Sequence, residues 1–156
     1  MNYRDTLSYL QYLDGVYTRI VFPGLDSVKQ KLAGSRFSIN KARITLPVYF
    51  DNDRFTPETV PASLRLKYSD TSEVKHDVPD YEIDSNNAFF DGKLHKSDST
   101  YYFNIPSFIQ FYLEDKAGIL KPELDIYQGL TGLRSVILKA NASKTPVRFE
   151  MTYTKF

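Results

Sequence analysis

The residues of this chain whose types invite chemistry are two histidines, His76 and His95, and the carboxylate pair Asp51 and Asp53. The histidines stand nineteen positions apart in polar, loop-like surroundings. A catalytic zinc needs three protein ligands, and a histidine that moves protons needs an orienting partner. Neither is written beside them, so they read as exposed and non-functional. Asp51 and Asp53, in the segment Phe50-Asp51-Asn52-Asp53-Arg54-Phe55, could present two carboxylates to calcium. Calcium takes six to eight oxygens, so backbone carbonyls or acids from the region 77–91 would have to join them. The plainer reading is an Asp/Asn-rich turn, because these side chains hydrogen-bond their own backbone.

Other chemistries leave less trace. Carboxylate pairs for glycoside hydrolysis can be drawn anywhere on a chain with 19 acids, so they discriminate nothing. No Gly-x-Ser-x-Gly elbow and no glycine-rich phosphate loop is present. The expectation is therefore no enzyme and no cofactor, calcium aside. Asn141-Ala142-Ser143 fits a glycosylation sequon, a pattern common by chance. Twelve Tyr and eleven Phe without Trp raise sugar stacking, since aromatic faces are flat apolar platforms. Phe22, Phe50, Tyr68, Phe103, Phe108, Phe111, Phe149 and Tyr153 fall on the inward phase and read as core. The loop aromatics Phe55, Tyr81, Phe89 and Phe90 are the platform candidates. Phe55 beside Asp51 and Asp53 is where a loop ring and clustered carboxylates coincide, and those three form the candidate ligand site.

Composition narrows the class. A chain of 156 residues is one domain by length, here 1–156, and can bury a core without staples. A net charge of +1 excludes the concentrated cationic surface of a nucleic-acid binder. The charge is uneven: the region 70–98 holds eight acids against three lysines, net −5. Cysteine is absent, no apolar run reaches a membrane span, and no export signal opens the chain.

Strands must position these residues. Ile44, Leu46, Val48 and Phe50, and again Val147, Phe149, Met151 and Tyr153, put an apolar side chain at every second position, the period of a half-buried strand. Ser8 to Leu13 and Val16 to Phe22 read as strands around an Asp14-Gly15 hairpin turn. Pro47 predicts that Arg36 to Phe50 lies at a sheet edge or bulge. Ser63 to Ser69 is a strand, and short strands near Tyr81 to Asp84 and Ala88 to Leu94 follow. Thr100 to Ile105, Pro122 to Tyr127, Arg134 to Ala140 and Val147 to Thr154 complete the set. Helical spacing is confined to Leu25 to Ala33, stopped by Gly34, and to Ser107 to Asp115 after Pro106. The fold class is all-β, an antiparallel, jelly-roll-like β-sandwich with two short helices.

The series YLQYLDGVYTRIVFPGLDS, INKARITLPVYF, FDGKLHKSDSTYYFNIPSFIQFYL and VILKANASKTPVRFEMTYTKF resembles the C-terminal part of a Bacteroidetes-type family of outer-membrane lipoproteins of unknown function. The likeness spans nearly the whole chain, and Tyr153-Thr154-Lys155-Phe156 looks like the family's natural end. Such precursors begin with a lipoprotein signal and an acylated cysteine. The resemblance therefore implies an excised domain at the outer membrane or cell surface, tied to the membrane only by an anchor absent from this chain. A more distant similarity, through Arg19-Ile20-Val21-Phe22-Pro23-Gly24-Leu25 and Ile39-Asn40-Lys41-Ala42-Arg43-Ile44-Thr45-Leu46, is to secreted carbohydrate-binding β-sandwich modules. Their pattern usually carries an acid where Pro23 stands, and no binding residue transfers. The function these likenesses imply is a non-enzymatic envelope module whose partner is a glycan. The alternative is a structural or assembly module contacting another envelope protein.

Overall fold

Ala42, Ile44, Leu46 and Val48 are buried while Arg43, Thr45, Pro47 and Tyr49 point away, so the longest strand, β3 (Phe37–Tyr49), has one dry face and one wet face. The computed structural model in which this is seen describes residues 7–11, 17–51, 53–84, 86–128, 134–140 and 143–156. Strand β3 centres a six-stranded antiparallel sheet whose order is β1 (Leu7–Gln11), β9 (Ser135–Lys139), β3, β7 (Thr100–Asn104), β6 (Asp91–His95). The sixth member, β10 (Arg148–Lys155), also pairs with β3. A second antiparallel sheet runs β2 (Thr18–Val21), β8 (Glu123–Gln128), β4 (Leu64–Ser69), β5 (Lys75–Asp77). The sheets pack together as a β-sandwich. Ile44, Leu46, Tyr101 and Phe103 from the large sheet and Leu64, Leu66, Leu124 and Ile126 from the small one are at most 2% exposed. Withdrawing those side chains from water is the main favourable term. Tyr101, fully buried, satisfies its hydroxyl by donating to the Pro61 carbonyl at 2.5 Å.

Three short helices cover the sandwich: α1 (Leu25–Leu32), α2 (Pro79–Ile83) and α3 (Pro106–Leu113). The outer two match the spans that helical spacing predicts. The middle one corrects the strand expected near Tyr81 to Asp84. Pro79 occupies the first helical turn, where its missing N–H is no loss, and the turn it starts carries the buried Asp80. That carboxylate accepts the N–H groups of Ser107 and Phe108, both at 2.8 Å. Helix α3 has no capping side chain of its own, so Asp80 caps it from the neighbouring helix.

Three further expectations need correction. Strands β1 and β2 do not form a hairpin: β1 pairs with β9 in one sheet and β2 with β8 in the other. The Asp14-Gly15 turn itself lies outside the described residues. Pro47 sits at the centre of the large sheet, not its edge. The Val48 N–H donates to the Ser99 carbonyl on the β7 side, so by alternation the nitrogen of Pro47 faces the opposite side. There β10 has ended at Thr45 and β9 begins at Val48, so the proline lies in a gap where no donor is needed. Tyr153, expected inside, is 43% exposed just past a register shift between Thr152 and Tyr153, and Phe149 is only half-buried.

The two sheets meet by backbone pairing on the β6 side of the sandwich. There the Leu94 N–H donates to the Ala62 carbonyl at 2.9 Å and Ser63 bridges Lys93. Gly92 permits this approach: its φ is +73° and a Cβ there would stand 2.7 Å from the Leu64 carbonyl oxygen. Among the described residues, β10 pairs with β3 along one edge only.

Candidate functional site

The outer face of the small sheet carries a row of alternating charge. Register places Arg19 beside Asp125, Asp125 beside Lys67, and Lys67 beside Asp77 across its strands. Period-2 alternation in four different strands puts these groups on one face, opposite Leu66, Leu124 and Ile126. Asp125 is the hub. Its carboxylate is 2% exposed and accepts from Arg19 through Nε at 2.7 Å and Nη2 at 3.2 Å, and from the Lys75 ammonium. Burial by itself would push this carboxyl up, but the hydrogen bonds and charges of Arg19 and Lys75 outweigh it and hold it below the ordinary range. The same bond, against some desolvation, raises Arg19. Glu123 adds a looser contact to Arg19 at 3.5 Å.

Aromatic rings frame this hub. Tyr17 and Tyr127 lie near-parallel, 6.1 Å apart and 15° from coplanar. Arg19 and Lys75 sit 5.7 and 5.6 Å from the Tyr17 ring centre, and Lys67 sits 5.5 Å from that of Tyr127. Tyr17 remains 47% exposed. It borders a cleft of about 350 Å³ that Arg19, Lys75, Asp125, Glu73, Leu120 and Lys121 also line. That volume lies at the lower end of small-ligand sites. A half-exposed ring beside fixed donors and acceptors can offer apolar surface to a sugar while they bond its hydroxyls.

His76 lies near the cleft, and its Nε2 meets Asp70 at 2.8 Å. Asp70 also accepts the N–H groups of Ser72 and Val74, which shapes the turn between β4 and β5. The histidine and these bonds hold Asp70 below the ordinary carboxylate range. His95 is paired likewise, Nε2 to Asp91 at 2.7 Å, with its ring edge-on to Tyr102. Each histidine thus has an acidic partner that the spacing of the sequence did not announce. Among the described residues, no group of three or more His, Cys, Asp or Glu side chains could hold a metal ion.

Asp51, Asp53 and Phe55 share one turn, but two of them are already engaged. The Asp51 carboxylate accepts the N–H groups of Arg54 at 2.6 Å and Phe55 at 2.7 Å, and these bonds lower its pKa. Phe55 is half-buried against the core, with the Arg54 guanidinium 5.4 Å from its ring centre. Asp53 is exposed. Of the other platform candidates, Phe90 is core at 1% exposure, Tyr81 packs against the core under Arg65, and Phe89 is 56% exposed. Tyr17, Arg19, Lys75 and Asp125 carry no local motif. Their only signal was the outward phase of charged residues in separate strands, and no strand order could be read to bring them together.

No helix among the described residues is long and apolar enough to cross a membrane. Comparison with family models, curated proteins and solved structures finds no match to the chain.

Proposed function

We propose that this chain is a non-enzymatic glycan-binding module of an outer-membrane lipoprotein, with its sugar seated in the Tyr17 cleft. The observation that carries the binding reading is the half-exposed Tyr17 ring beside the fixed Arg19–Asp125–Lys75 hub in one cleft. The envelope setting is supported by the sequence resemblance. Cations and acids both line the cleft, which suits a neutral sugar that accepts bonds from Arg19 and Lys75 and donates to carboxylates. The non-enzymatic reading is supported by two acids of the cleft, Asp70 and Asp125, which are engaged by His76 and by Arg19 and Lys75. A glycosidase needs one acid with a raised pKa. Asp70 and Asp125 are both held low.

Calorimetric titration with a panel of neutral and acidic oligosaccharides, with and without calcium, tests this. One stacked ring supports modest affinity, a Kd of about 0.1–1 mM. Tyr17→Ala is expected to weaken binding about tenfold with an unchanged thermal midpoint, and Phe55→Ala to leave it intact. Loss of binding in Phe55→Ala but not Tyr17→Ala would move the site to the Asp51–Phe55 turn. No saturable binding to any sugar would favour the assembly module instead.

A further inference from the structure

Among the described residues, every strand edge is short or covered except one. The free edges of β1, β2 and β5 span 5, 4 and 3 residues, and that of β6 is met by Ala62 and Ser63. Strand β10 is 8 residues long, contains neither Pro nor Gly, and among the described residues pairs on one side only. Long, uninterrupted edges are templates for further pairing.

Alternation identifies which backbone groups face outward. The Ile105 N–H donates to the Ala42 carbonyl and the Val48 N–H to the Ser99 carbonyl, so even-numbered residues of β3 from 42 onward bond β7. Odd-numbered Arg43 and Thr45 therefore bond their β10 partners, Glu150 and Arg148. The Phe156 N–H, which donates to the Arg36 carbonyl at 2.9 Å, keeps the same phase to the chain end. The N–H and C=O groups of Phe149, Met151, Tyr153 and Lys155 are left on the free edge.

We propose that this edge joins the chain to a second copy of itself, β10 against β10, antiparallel and centred on Met151. In that register Met151 meets its own copy and both outward-facing groups of each odd residue are paired. Phe149 then faces Tyr153, an aromatic cross-strand pair made twice, and covers rings that are half-buried and 43% exposed in the single chain. Arg148 faces Thr154 and Glu150 faces Thr152, so no like charges meet. Centring on Glu150 instead would set that carboxylate against its copy, which is unfavourable. The two large sheets become one continuous sheet across a two-fold axis, a self-complementary contact. One strand pair buries less than a standard interface, so the dimer is weak, with a Kd of about 0.1 mM.

Sedimentation of the unmodified chain over a hundredfold concentration range, read together with amide hydrogen exchange, tests this directly. A reversible monomer–dimer equilibrium is expected, with the amides of Phe149, Met151, Tyr153 and Lys155 gaining protection as concentration rises. Met151→Pro removes the central outward N–H, and Met151→Lys sets like charges at the two-fold axis; each is expected to leave only monomer. Monomer at every concentration overturns the proposal. So does a dimer that persists in both variants, or one whose protection appears elsewhere. The exchange measurement needs no variant, so a failure of either to fold leaves the outcome decided.

Discussion

Asp80 and Asp125 are the same side chain at nearly the same burial, 4% and 2% exposed, yet one is pushed up in pKa and the other held down. Both accept hydrogen bonds at good distance. The difference lies in what donates them. Asp80 receives backbone N–H groups at the start of α3, whose partial charges do not offset the loss of water, so burial dominates. Asp125 receives a guanidinium and an ammonium, and two full charges reverse the balance. Hydrogen bonding satisfies a buried acid; a counter-charge is needed to keep it comfortably ionised. The two also do different work, Asp80 joining α2 to α3 and Asp125 joining β2, β8 and β5.

The largest effect follows from breaking the charged hub. Asp125→Ala strands Arg19 and Lys75 beside each other. Because both are partly exposed, water offsets some of the loss, and the expected cost is ~2–3 kcal/mol in denaturant unfolding. Asp80→Ala leaves the Ser107 and Phe108 N–H groups without their acceptor and removes a cap, at ~1.5–2.5 kcal/mol. A result in which Asp80→Ala costs clearly more than Asp125→Ala would mean that backbone dipoles, not counter-charges, dominate here.

The smallest and sharpest test is the sign of the pH dependence. Asp125 is depressed in the folded chain, so its contribution is present above the ordinary Asp value of 3.8 and lost as pH falls through its lower folded pKa. Asp80 is raised, so its contribution is complete below 3.8 and lost as pH rises through its folded pKa. Asp80→Asn keeps a carbonyl acceptor and cannot ionise. Its stability relative to the unmodified chain is expected to improve as pH rises above 4, by less than ~1 kcal/mol in total. Urea midpoints between pH 3 and 7 read this directly, and an opposite slope would show that the cap stabilises the ionised form.

Local patterns were readable to the extent that their physics is local. Leu25, Val28 and Leu32 announced α1, and Pro106 with Phe108, Phe111 and Tyr112 announced α3, because periodicity and first-turn proline act within one turn. The Asp-rich turn at 51–55 was readable for the same reason, since its carboxylate bonds residues three and four positions on. Helix α2 was missed because five residues show no period, and its stability comes from Asp80 meeting α3. Pro47 was misplaced because its penalty depends on whether a neighbour needs its N–H, and that depends on where β10 stops and β9 starts.

The order of apolar and polar residues was enough, by itself, to determine that this chain makes strands with one dry face, two of its short helices and an antiparallel sandwich. Side-chain period is a property of each strand alone. Only the tertiary structure decided which strands are neighbours, and with that the cleft. Arg19 and Asp125 are 106 residues apart, Lys75 and Asp125 50, and Asp80 and Ser107 27. Such pairs form when loop closure is repaid by burial of the whole core. No short window of sequence contains Asp125 together with Arg19 or Lys75.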